Sequence, residues 1–165
     1  MITRLLAADR VAVPWKNGGG VTREVCVFPA GAGMDDFLWR ISMAEVAEAG
    51  PFSLFEGIDR HLTVLRGRLH LSFDDREVVL GPGDSLGFDG GARCHGTPLD
   101  GPVTDLNVMT RRGQVEARVR RVEGDTVAMA RAAVLIDLTS LDAVMFDPAP
   151  GHVQAPGTSI LVEFA

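Results

Sequence analysis

Glycine and proline interrupt this chain so often that its apolar runs are all short. There are 19 glycines and nine prolines among 165 residues, and the runs between them are rich in Val, Leu and Phe. Short strands separated by frequent turn signals build sandwiches or barrels. The expected fold is therefore all-β. Strands are expected at residues 2–6, 21–28, 37–43, 61–65, 68–73, 77–80, 85–88, 103–109, 115–122, 126–138 and 159–164. The 37–43 run alternates cleanly, with Phe37, Trp39, Ile41 and Met43 on one face and Leu38, Arg40 and Ser42 on the other. Residues 44–49 read as a strand end or a single turn. Hairpins are expected across Arg66-Gly67 and across Gly81-Pro82-Gly83-Asp84. Loops are expected at 30–36, 50–60, 89–101 and 147–152, with Phe52 and Phe55 of the second tucked under a sheet edge.

Length bounds the chain to one domain or two small fused ones. Hydrophobic residues make up 46%, enough for a core, and the net charge is −6 with a pI near 5.1. That balance argues against both disorder and a general nucleic-acid binder. Cys26 and Cys94 are too few for a disulfide framework and lack ligand spacing, so they read as reduced buried thiols. The first residues lack the apolar stretch of a signal peptide, and no run reaches a membrane span. A soluble, cytoplasmic protein with no membrane partner is expected.

The stretch Pro14-Trp15-Lys16-Asn17-Gly18-Gly19-Gly20 offers an aromatic surface, a cation and an amide before three glycines. Taken alone it reads either as a flexible surface turn or as a loop that contacts a ligand. Lys16 precedes the glycines, the reverse of a P-loop, although the glycine N–H groups could still face an anion. Three strands then place polar pairs at i and i+2: Thr22 with Glu24, Arg40 with Ser42, and Asp105 with Asn107. Any one pair reads more simply as a face turned to water. Three pairs beside the glycine loop favour a polar pocket, since an inward polar face is costly unless paired or used. Arg40 and Arg60 are the candidates for holding an anion, with Arg60 expected on a loop just before a strand. Glu24 and Asp105 could compensate the arginines or take a proton. The histidines His61, His70, His95 and His152 have no ligand spacing, so neither metal nor cofactor is expected. Ser53 and Ser85 lack a nucleophile context.

The motifs Pro14 to Gly20, Trp39-Arg40-Ile41-Ser42-Met43-Ala44, Gly50-Pro51-Phe52-Ser53-Leu54-Phe55, Gly57-Ile58-Asp59-Arg60 and Gly101 to Met109 resemble the HutD/Ves family. The resemblance covers residues 1–113 and is weak over 114–165. It implies a cupin-like double β-barrel, a bicupin of RmlC-like type, with one HutD-like unit of two packed barrels over residues 1–165. It also implies a barrel without the usual metal-binding histidines, and a role in histidine utilisation. There the family is thought to bind a small acidic compound such as formylglutamate or urocanate and to moderate pathway expression. Glu56 stands where the family more often has proline, and Leu106 replaces a common Phe.

The expected function is thus a non-catalytic small-carboxylate-binding protein that modulates histidine utilisation. The alternative is a metal-independent isomerase or hydrolase using Glu24, Asp105 or a histidine as base; a structural or protein-interaction module is the blander third reading. The expected ligand site comprises Trp15, Lys16, Asn17, Gly18, Gly19, Thr22, Glu24, Arg40, Ser42, Arg60, Asp105 and Asn107. The expected partner is a small acidic metabolite, and sheet edges leave room for a homodimer.

Overall fold

A computed structural model describes all 165 residues. Apart from one 3-10 turn at Ala7–Asp9, every regular element is a strand. No helix is long and apolar enough to cross a membrane. The chain divides into two compact units, Val11–Arg112 and Met1–Arg10 with Gly113–Ala165. The first strand, β1 (Ile2–Leu5), belongs to the latter.

The unit Val11–Arg112 holds two antiparallel sheets. One contains β2 (Ala12–Pro14), β3 (Gly20–Phe28), β4 (Trp39–Val46), β6 (Ile58–Arg66), β9 (Ser85–Asp89) and β11 (Val103–Arg111), in the order β2-β3-β4-β11-β6-β9. The other contains β5 (Gly50–Pro51), β7 (Leu69–Phe73), β8 (Glu77–Leu80) and β10 (Cys94–Pro98), in the order β5-β10-β7-β8. Val46, Leu62, Val64, Phe88 and Val103 from the first sheet pack with Leu69, Leu71, Leu80 and Cys94 from the second in one apolar cluster. Each such aliphatic side chain contributes roughly 1.5–3 kcal/mol on full burial. This cluster closes the unit's interior below the polar residues described in the next subsection.

Pairing corrects both expected hairpins. β6 pairs with β11 and β9, while β7 pairs with β10 and β8, so the two strands flanking Arg66-Gly67 lie in different sheets. β8 and β9 likewise separate. Between these two turns, the hairpin formed is β7–β8. Gly67 permits the crossing: its φ is +82°, and a Cβ there would lie 2.9 Å from the Pro102 carbonyl oxygen. The chain changes sheet at this glycine, so Leu62 and Val64 meet Leu69 and Leu71 through the core rather than side by side.

Other boundaries shift for local reasons. Residues 44–46 continue β4, because they pair with both β3 and β11. β10 falls in the expected polar turn region: Cys94-His95-Gly96-Thr97-Pro98 has no apolar alternation, and is held by its neighbours β5 and β7. Arg60 does not sit on a loop, because β6 begins at Ile58.

In the second unit, β1 joins β12 (Ala117–Val122), β14 (Ala132–Asp137), β15 (Ala143–Phe146) and β17 (Ser159–Phe164) in the order β1-β15-β14-β17-β12. β13 (Asp125–Ala128) pairs with β16 (Gly151–Gln154). The run expected as one strand at 126–138 is therefore two, serving different sheets. β16 begins in the expected 147–152 loop, and β15 has no counterpart among the expected strands. Val122, Ala128, Ala133, Leu135, Val153, Ala155 and Leu161 form this unit's core.

Candidate functional site

Strand register decides which polar side chains meet. On β11, Asp105, Asn107 and Met109 share one face. Across the ladder to β4, Asp105 lies opposite Ala44, Asn107 opposite Ser42 and Met109 opposite Arg40. Across the ladder to β6, Asn107 lies opposite Leu62 and Met109 opposite Arg60. From β3, Glu24 lies opposite Ser42 and Thr22 opposite Ala44. A register shift between Glu24 and Cys26 follows. Directly opposed residues point to one side of a sheet. Thr22, Glu24, Arg40, Ser42, Arg60, Asp105 and Asn107 therefore share the face that also carries the core residues Leu62 and Val64.

Arg60 is the centre of this face. It is 7% exposed. Its Nη2 donates to Asn107 Oδ1 at 3.0 Å and its Nη1 to the Ser53 carbonyl at 3.3 Å. Three phenyl rings surround the guanidinium: Phe52, Phe55 and Phe88, with centroids at 5.7, 5.5 and 5.1 Å. Such contacts each contribute about 0.5–2 kcal/mol, more when desolvated. Burial lowers the Arg60 pKa; Asp105 and Cys94 oppose that shift and Arg40 adds to it. The Nε atom is buried and has no hydrogen-bond partner.

Asn107 relays this cation to Asp105. Its Oδ1 accepts from Arg60, and its Nδ2 donates to Asp105 Oδ1 at 2.6 Å. The amide has one workable orientation, since the reverse would set an NH₂ group against the guanidinium. Asp105 is 1% exposed, and its Oδ2 has no partner. Burial raises its pKa from 3.8 to about 7, although Arg60 and the Asn107 bond work in the other direction. Asp105 and Arg60 form no direct ion pair, and Asn107 spans the distance between them.

Nearer solvent, Arg40 Nε donates to Glu24 Oε1 at 2.9 Å, with side-chain exposures of 12% and 45%. Glu24's exposure limits this pair to about 1 kcal/mol or less through screening. The glycine loop contributes by packing. Trp15 Nε1 donates to Thr22 Oγ1 at 2.7 Å, and the indole meets the Phe52 ring edge-on at 6.0 Å. Asn17 Oδ1 accepts from the Gly19 N–H at 2.9 Å, an Asx-type turn within the loop. Gly18 adopts φ +74° and is exposed, while Gly19 is buried. Lys16 is exposed and makes no hydrogen bond or ion pair with the cluster. Eleven of the twelve expected residues thus lie on the shared face or in the loop's own bonded framework, Gly18 through its N–H to the Trp15 carbonyl at 3.0 Å, whereas Lys16 is exposed and outside it.

The residues that sequence reasoning missed are the ones that cage Arg60. Phe52 and Phe55 were expected under a sheet edge but not against a cation. Phe88 and Cys94 carried no signal, because each reaches the site through pairing of distant strands, and Ser53 contributes only a backbone carbonyl, which no residue type marks. One clue was present: Gly96 leaves space that Phe52 fills, since a Cβ there would sit 2.5 Å from the ring. A cleft of about 300 Å³ is lined by Phe52, Phe73, Arg93, Cys94 and His95, among others, and Arg60, Asp105 and Asn107 do not line it. Burial raises the Cys94 pKa to about 11, so its thiol is neutral at ordinary pH. No group of three or more His, Cys, Asp or Glu side chains is placed to hold a metal ion.

The HutD family model matches residues 7–154. The chain belongs to the HutD family. As a HutD-family protein it superposes on HutD from Pseudomonas fluorescens SBW25, in a structure from a formate condition, with a TM-score of 0.88 and 30% identity, covering 100% of this chain and 98% of that one. It is 33% identical over 156 residues to an uncharacterised 21.2 kDa protein of the hutC 3′ region of Pseudomonas putida, covering 93% of this chain and 81% of that protein. It is 38% identical over 109 residues to protein Ves of Citrobacter koseri, covering 64% of this chain but 56% of Ves. The fold is all-β, and its full-length match to HutD is consistent with a cupin-like double barrel. Membership links the chain to histidine utilisation.

Proposed function

We propose that the unit Val11–Arg112 binds a small carboxylate metabolite of histidine utilisation and acts in control of that pathway. One observation carries the reading. A guanidinium more than nine-tenths buried and caged by three phenyl rings keeps its Nε–H unpaired, and Asp105, linked to it through Asn107, also keeps one oxygen unpaired. Leaving a buried donor unsatisfied costs about 1–3 kcal/mol. A carboxylate is the acceptor whose geometry matches an arginine edge. The planar fork, the apolar walls and the nearby Arg40 suit an anion of a few heavy atoms. Formylglutamate and urocanate, the compounds implied by the family resemblance, both carry a carboxylate that could meet the arginine.

The test is thermal unfolding against a panel containing formylglutamate, urocanate and unrelated short carboxylates. A ligand of the native state at a hundred times its Kd adds about 2.7 kcal/mol of stability. Arg60→Met, which keeps an apolar stem inside the ring cage, should lose the response while still unfolding cooperatively. Arg40→Ala should weaken it. If no carboxylate shifts the transition, the reading fails.

A second reading is favoured by Asp105 alone. A buried carboxyl group with a pKa near 7 suits general acid–base work. Incubation with histidine-pathway intermediates, followed by product detection, separates the two. Tight binding without turnover excludes the enzyme.

A further inference from the structure

The four-stranded sheet ends in two opposite charges that do not meet. Its last β7–β10 pair is Phe73 with Cys94. One residue further on, Asp74 and Arg93 stand at the next position of the same register. Alternation groups them with Ser72 and His95, the pair on the other side of Phe73 and Cys94. Opposite charges so placed across an antiparallel ladder attract. Yet Asp74 and Arg93 make no ion pair or hydrogen bond, and both are exposed. Other arginines of this unit are committed: Arg23 to Glu45, Arg40 to Glu24, Arg68 to Asp100, and Arg112 to Asp59 and Asp89.

Both charges line the 300 Å³ cleft, as do Ser72 and His95. Its apolar lining comes from Phe52, Leu54 and Phe73. The Phe52 N–H donates to the Cys94 carbonyl at 2.8 Å, which fixes the segment carrying Phe52 and Leu54 against the start of β10. Leu54 is 54% exposed, an apolar side chain left without cover. Cys94 adds no charge, because burial raises its pKa to about 11. Arg76 lies over the Phe73 ring at 4.9 Å and is occupied there. One small cleft thus joins an apolar wall to an unpaired cation and an unpaired anion. Its volume is at the lower end for small-molecule sites, which run from roughly 300 to 1,000 Å³.

We propose that this cleft binds a free α-amino acid with an aromatic or other apolar side chain. The carboxylate meets the Arg93 guanidinium, whose planar fork matches it. The ammonium meets Asp74, and the side chain lies against Phe52, Leu54 and Phe73. Ser72 and His95 border the charged end and offer a hydroxyl and a ring N–H. A simple carboxylate would satisfy Arg93 but set a second negative charge beside Asp74. A simple amine would satisfy Asp74 and face Arg93. The zwitterion satisfies both and leaves the net charge of the cleft unchanged. Arg60 does not line this cleft, so the proposal is independent of the carboxylate-binding reading above.

L-phenylalanine, 3-phenylpropionate and 2-phenylethylamine are the probes, titrated into the full chain and followed by calorimetry and backbone amide shifts. The second lacks the ammonium and the third lacks the carboxylate. L-phenylalanine should bind, with its largest shifts at Ser72, Asp74, Arg93 and His95. Each of the other two should bind there about fivefold more weakly, the upper end for an exposed charge pair. Asp74→Asn should erase the advantage over 3-phenylpropionate, and Arg93→Gln the advantage over 2-phenylethylamine. Both side chains are exposed, so both variants should fold as the wild type does. Absence of L-phenylalanine binding, equal affinity for all three probes, shifts centred on the Arg60 cage, or advantages that survive the two substitutions each overturn the proposal. None of these outcomes bears on whether Arg60→Met abolishes a carboxylate response, so the two readings fail separately.

Discussion

Arg60 and Asp105 show how burial changes what a side chain can do. Each would be an unremarkable surface charge if its strand faced outward. Turned inward, the guanidinium is held by aromatic rings, one carbonyl and one amide, and the carboxyl group shifts toward neutral pH because solvent cannot reach it. The folded chain thus binds Asp105's proton more tightly than the unfolded chain does. The stability from this group is full below about pH 3.8 and is lost as pH rises through about 7. Asp105→Asn has no such proton to lose. Its stability relative to the wild type should therefore rise between about pH 5 and about pH 8, read as the difference between urea midpoints. A constant offset across that range would remove burial as the cause. Period-2 alternation was enough to nominate Glu24, Arg40, Ser42, Asp105 and Asn107, because facing is a local property of a strand. The Arg60 cage was not legible, since its ring Phe88 comes from β9, which pairs with β6 only in the folded sheet.

At the scale of elements, the glycine loop is a joint between β2 and β3 and not a free tip. Gly20 opens β3 opposite Val46. A Cβ at that position would stand 2.4 Å from the Glu45 carbonyl oxygen and 3.1 Å from the Trp15 ring. Backbone on one side and an indole held by Thr22 on the other leave no easy escape. Gly20→Ala should lower stability by about 1–3 kcal/mol, the usual range for overpacking, and should change Trp15 fluorescence. A loss below about 0.5 kcal/mol would show that the loop yields. The turns at residues 66–67 and 81–84 illustrate the opposite limit. Turn chemistry correctly marked where the chain reverses, yet it carries no information about which sheet the next strand joins. Gly67 with its positive φ suits a sheet change as well as a hairpin.

At the scale of the whole molecule, the first ten residues belong with the C-terminal unit. β1 covers the edge of β15 through the register Ile2↔Phe146 to Leu5↔Ala143. Ala7 donates to Asp142 Oδ1 at 2.7 Å, and Arg10 Nη2 donates to the Leu141 carbonyl at 2.6 Å. Removing residues 1–10 should leave β15 as an unpaired edge. Hydrogen exchange at Ala143–Phe146 should then accelerate, while β14 and β17 in the same sheet keep their protection. Uniform loss across the sheet would mean that β1 is needed for the unit to fold at all. The all-β class, the frequent turns and the inward polar faces followed from sequence alone, because punctuation by Gly and Pro and alternation along a strand act over a few residues. Tertiary structure decided the rest: which strands pair, where β1 docks, and the state of Asp105. Arg60 and Asn107 lie 47 residues apart, and only the β6–β11 ladder brings them within 3.0 Å. The reason is physical: facing is set by the local backbone, whereas partnership and desolvation depend on what the remainder of the chain places around a side chain.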